Sequence, residues 1–200
     1  MILIVGLGNP GDKFLGTRHN IGRETAQSIG NKFGFPEFKF EKKWNALISE
    51  GRIEKIKATL LLPDTFMNKS GNAAGPVARF YKVKPRDTIV LHDDADILLG
   101  RAKLSFHKHS AGHKGVESIK RALGSWDFWR LRVGIQPPFG ASLAKGGRKK
   151  RVEAEKLVLQ KLKPDEQKQI RKLEKKIFEG VGAFATGEQE KAVGIINKNT

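Results

Sequence analysis

The chain has 200 residues, no cysteine, and 38 Lys and Arg against 21 Asp and Glu, a net charge of +17. That length suits one domain with a sizeable core, and the missing cysteines exclude disulfides and thiolate metal sites. No run approaches the roughly 18 apolar residues of a membrane span, the start Met1-Ile-Leu-Ile-Val is too short and uncharged for a signal peptide, the absence of cysteine fits a cytoplasmic protein, and the basic excess favours nucleic acid as partner.

Residues 2–8, ILIVGLG, form a short apolar run of strand length. Asn9-Pro10-Gly11 ends it. After the connector DKFLG, Thr17-Arg18-His19-Asn20 opens a helix expected from about 20 to 33, with Ile21, Thr25, Ile29 and Phe33 on one face. Gly6, Gly8 and Gly11 match the G-x-G-x-x-G dinucleotide fingerprint. That fingerprint needs a helix to open at once, so that its N–H groups meet the pyrophosphate. Pro10 biases Asn9 away from helical angles, and Asp12 to Gly16 intervene before any helix start, so no nucleotide cofactor is expected.

Residues 44–62 are expected as strands with a turn at Glu50-Gly51. A helix from about 67 to 82 carries Met67, Ala74, Val77 and Phe80 or Tyr81, with Pro76 as a possible bend. Thr88 to His92 is a buried-type strand running into aspartates. Ile97–Phe106 and Phe128–Ile135 are further strands, with a helix over 116–123 between them. After Gln136-Pro-Pro-Phe-Gly comes a basic loop at about 141–152, whose residues 145–151, KGGRKKR, hold five basic side chains in seven. A C-terminal helix from about 164 to 180 places Ile170, Leu173 and Ile177 at helical spacing. Strands alternating with helices, without a repeat or second core, imply one α/β domain over 1–200. The expected architecture is a three-layer α/β/α arrangement on a twisted mixed, largely parallel sheet.

Ligands in such sheets collect where the strands end. Asn9 and His19 share one such end: a neutral donor and acceptor beside the side chain best suited to proton transfer near pH 7. The pair suits hydrolysis without a metal. Phe66-Met67-Asn68-Lys69-Ser70-Gly71 lies at a strand-to-helix junction, where an Asn serves equally well as a plain helix cap. His92-Asp93-Asp94-Ala95-Asp96 can hold Mg²⁺; alternatively, one carboxylate can accept Nδ1–H from His19 and fix its tautomer. Gly112-His113-Lys114-Gly115 is a glycine-flanked loop where backbone N–H groups can approach a substrate. Each segment alone has a structural explanation. Together they put several polar sites on one rim.

The stretches IVGLGNPG at 4–11, TRHNIG at 17–22, PDTFMNKSG at 63–71, HDDAD at 92–96, AGHKG at 111–115 and RLRVGI at 130–135 follow one family's order and spacing. Over nearly its whole length the chain resembles bacterial-type peptidyl-tRNA hydrolase. The resemblance implies a compact α/β monomer that hydrolyses the ester between a peptide, or an N-blocked aminoacyl group, and the 3′ ribose of tRNA. No metal, cofactor or protein partner is implied. It assigns His19 as the general base that activates water, Asp93 as its support, and Asn9 as a contact near the scissile ester. Phe14, Phe66, Met67, Asn68, His113 and Lys114 would line the substrate site, and Lys103 and Arg132 would clamp a tRNA phosphate.

This chain departs from the family at several of these positions. Lys114 stands where the family usually has asparagine, Phe14 where it usually has tyrosine, and Ser105 where it often has a second lysine. His107-Lys108-His109-Ser110-Ala111 replaces a glycine-rich approach. An alternative is a relative on the same fold that binds RNA or serves in splicing without chemistry. Asn9, His19, Asn68, Asp93 and His113 are all present, however, and RNA binding alone gives no reason to keep them together.

Overall fold

The first strand shows why its sequence is apolar without interruption. Ile2 and Ile4 are buried in one hydrophobic cluster, Leu3 and Val5 in another on the opposite side. A strand with successive side chains on opposite faces reads this way when both faces are covered. A computed structural model describes residues 1–137 and 155–198; the basic run at 145–151 lies outside the described residues.

The strands are β1 (Ile2–Gly6), β2 (Lys39–Glu41), β3 (Ala46–Ile53), β4 (Ile56–Pro63), β5 (Thr88–Leu98), β6 (Ala102–Phe106) and β7 (Trp129–Gln136). They form one seven-stranded sheet in the order β2-β3-β4-β1-β5-β7-β6. The central strands β4, β1, β5 and β7 run parallel, and antiparallel pairing closes both flanks. Helices α1 (Ile21–Lys32), α4 (Pro164–Ala185) and α5 (Gln189–Asn197) cover the first face; α2 (Gly71–Phe80) and α3 (Lys114–Leu123) cover the second. The expected three-layer mixed α/β architecture is therefore observed, with its parallel part confined to the centre.

Several boundaries differ from expectation for identifiable reasons. The hairpin after β3 turns at Glu54, which takes a left-handed φ of 52°, and not at Glu50-Gly51. Gly51 is a mid-strand residue opposite Ala58, and its missing side chain makes room for the Phe35 ring, 2.8 Å from where a Cβ would stand. Strand β5 continues through the aspartates to Leu98, shifting register between Asp94 and Leu98, so the acidic cluster lies within a strand. Met67–Lys69 is a separate 3-10 turn, and α2 starts only at Gly71. Helix α4 runs to Ala185, five residues beyond the expected end, and both β2 and α5 were unexpected.

Helix α5 has a specific task at the sheet edge. Edge strands present unpaired backbone groups that invite foreign strands. Here the Asn197 side chain answers β6 as a strand would: its Oδ1 accepts the Leu104 N–H at 2.7 Å and its Nδ2 donates to the Leu104 carbonyl at 3.1 Å. Asn197→Ala removes both bonds and is expected to destabilise the protein by about 1–3 kcal/mol, read as a lower urea midpoint at unchanged m-value.

Candidate active site

Strands β1, β4 and β5 are parallel, so their C-terminal ends share one rim. The loop after β1 is pinned there by two asparagines. The Asn20 amide accepts the Asn9 N–H at 2.8 Å through Oδ1 and donates to the Asn9 carbonyl at 3.0 Å through Nδ2. The Asn9 side chain then reaches across to β4's end, where its Oδ1 accepts the Met67 N–H at 2.8 Å. That bond turns the Asn9 Nδ2 donors the other way. No helix opens at the glycines of this loop; two 3-10 turns precede α1, which begins only at Ile21.

Helix α3 delivers the next residue. A side chain at Gly115 would put its Cβ 2.4 Å from Met67 Sδ and 2.9 Å from Leu7 Cδ1. Only glycine lets the first turn of α3 sit this close to the rim. His113 caps that turn, its Nδ1 accepting the N–H groups of Gly115 at 3.2 Å and Val116 at 3.3 Å. A nitrogen that accepts carries no proton, so the proton of this neutral ring lies on Nε2. Nε2–H donates to Asp93 Oδ1 at 2.9 Å.

The same Asp93 oxygen accepts from His19 Nδ1–H at 2.8 Å. One buried carboxylate oxygen thus holds two imidazoles, whose ring centres lie 5.1 Å apart. Burial alone would push the Asp93 carboxyl up; the adjacent His19 and His113 outweigh it and hold the group well below the ordinary carboxylate range. With Nδ1 committed to Asp93, the basic lone pair of neutral His19 lies on Nε2, on a ring 15% exposed at the rim.

Behind these groups lies His92, fully buried, with its ring edge-on to His113 at 4.7 Å and its Nδ1–H donating to the Asp93 carbonyl at 2.7 Å. Burial, then His113 and Arg130, push its pKa well below the usual histidine range. It is a neutral packing element.

His19, Asp93 and His113 have ligand atoms within 4.8 Å of one another, the one such group among the described residues. The facing nitrogens, however, both carry protons shared with Asp93, and the second nitrogen of His113 is taken up by backbone N–H groups. The donor set is arranged for proton handling. Asp94 is committed elsewhere: Oδ2 accepts from Arg132 Nε at 2.8 Å and Oδ1 from the Asp96 N–H at 2.9 Å. The aspartates therefore do not combine into a Mg²⁺ cage.

Of the other residues singled out from sequence, Met67 is buried beside Asn9, Phe66 is 60% exposed, Asn68 is exposed on its 3-10 turn, and Phe14 is half-buried under Lys13. Lys103 and Arg132 stand directly opposite each other across β6 and β7, with Arg132 partly neutralised by Asp94. Lys114 is exposed at the start of α3, its Nζ 3.2 Å from Glu155. In the stretch that replaces glycines, His107 and Ala111 take left-handed φ values of 48° and 52°, a conformation that favours glycine. Bonds from Ser110 Oγ to Glu117 and from the Gly112 N–H to Ser110 Oγ brace this loop. Sequence reasoning missed Asn20, which only its adjacency to His19 signalled; His92, grouped in the sequence with the aspartates as a Mg²⁺ candidate, is instead buried behind Asp93.

His92 also ties stability to pH. Below about pH 6.5 the unfolded chain takes a proton on this side chain that the folded chain refuses, so stability falls as pH drops. Asp93, depressed in the folded state, adds to the loss below about pH 4. Urea unfolding of His92→Gln is expected to show a shallower decline between pH 7 and 5, by up to about 1.4 kcal/mol per pH unit.

A family model described as peptidyl-tRNA hydrolase matches residues 3–200. The peptidyl-tRNA hydrolase of Mycobacterium sp. (strain KMS) is 45% identical over 139 residues, spanning 70% of this chain and 72% of that protein. That of Rhodospirillum rubrum is 42% identical over 138 residues, 69% of this chain and 56% of its own length. The crystal structure of peptidyl-tRNA hydrolase from Acinetobacter baumannii superposes with a TM-score of 0.88 at 30% identity, covering 100% of this chain and 96% of that one.

Proposed function

Because the chain belongs to the peptidyl-tRNA hydrolase family, we propose that its activity, hydrolysis of peptidyl-tRNA, is carried out at the rim where His19, Asp93 and Asn9 meet. The observation that carries this reading is the bond from His19 Nδ1–H to the buried Asp93 carboxylate, which leaves Nε2 as a base. Nε2 takes a proton from water as the water oxygen attacks the ester carbonyl carbon, and the carbonyl electron pair moves onto its oxygen. Asp93 stabilises the imidazolium and holds the tautomer. The oxyanion collapses, the bond to the 3′ oxygen of the ribose breaks, and His19 returns the proton to that oxygen. Asn9 Nδ2, turned outward by the Met67 bond, and Asn68 supply neutral donors to the substrate near the ester. Phe14, Phe66, Met67 and His113 form the walls of the substrate site. An activated ester asks for no Lewis acid.

The charge serves the tRNA. Lys103 and Arg132, paired across two strands, contact phosphate, as do Lys114 at the substrate rim and the basic residues of 145–151. Backbone contacts of this kind are independent of sequence, as an enzyme that accepts many tRNAs requires. The protein works in the cytoplasm as a monomer. A module that merely bound RNA would have no use for a carboxylate shared by two histidines.

His19→Ala should lower turnover of N-blocked aminoacyl-tRNA at least about a hundredfold while tRNA affinity stays near that of the parent, and excess chelator should leave the parent rate unchanged. Near-normal turnover in the variant would remove His19 from the mechanism. Lys114→Asn is expected to raise KM about two- to fivefold at constant kcat, the scale of one exposed charge contact; a strong rise in kcat would instead mark Lys114 as a handicap.

A further inference from the structure

His19 is held between two neighbours in sequence, and only one of them answers to the rim. Asn20 binds the Asn9 loop. Arg18 turns the opposite way, into the protein, and is 2% exposed. Its Nη2 donates to both carboxylate oxygens of Glu166, at 2.7 and 2.8 Å, and its Nη1 to the Ile135 carbonyl at 3.1 Å. Glu166 lies in the first turn of α4, where its Oε2 also accepts the Lys163 N–H at 2.8 Å. Burial by itself would push the Glu166 carboxyl up, but the Arg18 bonds outweigh it and hold the group below its ordinary range.

The backbone repeats the connection. The Arg18 N–H donates to the Gln160 carbonyl at 3.0 Å, the Leu162 N–H donates to the Gly16 carbonyl at 2.8 Å, and Thr17 and Lys161 form an antiparallel bridge between them. A segment about 145 residues downstream in sequence therefore runs as a strap alongside the three residues before His19. Arg18 Nε is buried without a hydrogen-bond partner, and among the described residues Glu166 is the carboxylate paired with the guanidinium. A buried charge deprived of its partner relocates or distorts its surroundings, and here the first surroundings are the backbone of His19.

We propose that Arg18 and Glu166 are positioning residues for His19, fixing the approach of its ring to Asp93 from the N-terminal turn of α4. The inference rests on the reading of His19 as the base. Neither residue reaches the reacting atoms. They act through the backbone of the Arg18–Asn20 turn, and misplacement of a catalytic group by about 1 Å can cost as much as a hundredfold in rate.

The test uses the whole 200-residue chain with Glu166→Ala, Glu166→Gln and Arg18→Lys, assayed on N-blocked aminoacyl-tRNA with kcat and KM separated. The proton resonance of His19 Nδ1–H, shared with Asp93, is followed in parallel. The expected result is a fall in kcat of about tenfold or more for Glu166→Ala and a smaller fall for Glu166→Gln, with KM within about twofold. The Nδ1–H resonance should broaden or disappear in the same order. If Glu166→Ala does not fold, Glu166→Gln, which keeps the shape and an acceptor, carries the test. A lower unfolding midpoint with kcat and the resonance unchanged would reduce the pair to a structural clamp and overturn the proposal; so would a rise in KM alone. Failure of the base assignment itself is seen separately, as an undiminished rate in His19→Ala.

Discussion

One oxygen atom organises the site. Asp93 Oδ1 accepts a proton-bearing nitrogen from each of two histidines, and everything around it serves to keep that fork intact. The carboxylate must remain charged while buried, which costs desolvation; two charge-assisted bonds offset that cost. The fork also decides what each ring can do. His113, with Nδ1 capping α3, has no lone pair left for chemistry. His19 keeps Nε2. Two histidines on one carboxylate are thereby divided into a support and a base by which nitrogen the helix end has claimed.

The fold supplies the site from four separate places. Asp93 comes from the central strand β5, His113 from the cap of α3, His19 from the turn before α1, and Asn9 from the loop after β1. Close contacts hold these together: the first turn of α3 against Met67 and Leu7, Asn9 to the Met67 backbone, and Asn20 to the Asn9 backbone. The parallel centre of the sheet puts all these elements at one end, and the two apolar layers make the arrangement rigid. Function sits at the edge of the most buried part of the molecule.

Much of this was legible in the sequence. Uninterrupted apolar runs such as 2–8 and 88–91 announced strands covered on both faces, and polar residues just past their ends announced a shared rim. Local periodicity was less informative where tertiary packing overrode it. Gly51 read as a turn because its need for an absent side chain comes from Phe35, which nothing nearby in sequence reveals. The aspartates after His92 read as a strand end, although Arg132 and the two histidines satisfy enough charge for β5 to continue through them. Helix α5 was missed because its apolar pattern is short and its most telling residue, Asn197, acts on a strand 93 residues away. The Arg18–Glu166 pair is invisible for the same reason, at a separation of 148.

The most direct test of the account is the tautomeric state of the two rings, read from long-range proton–nitrogen NMR correlations of the histidine side chains at neutral pH. The expected result is His19 protonated at Nδ1 with a free Nε2, and His113 protonated at Nε2. A His19 ring protonated at Nε2 would leave no base facing the substrate and would contradict the mechanism at its root.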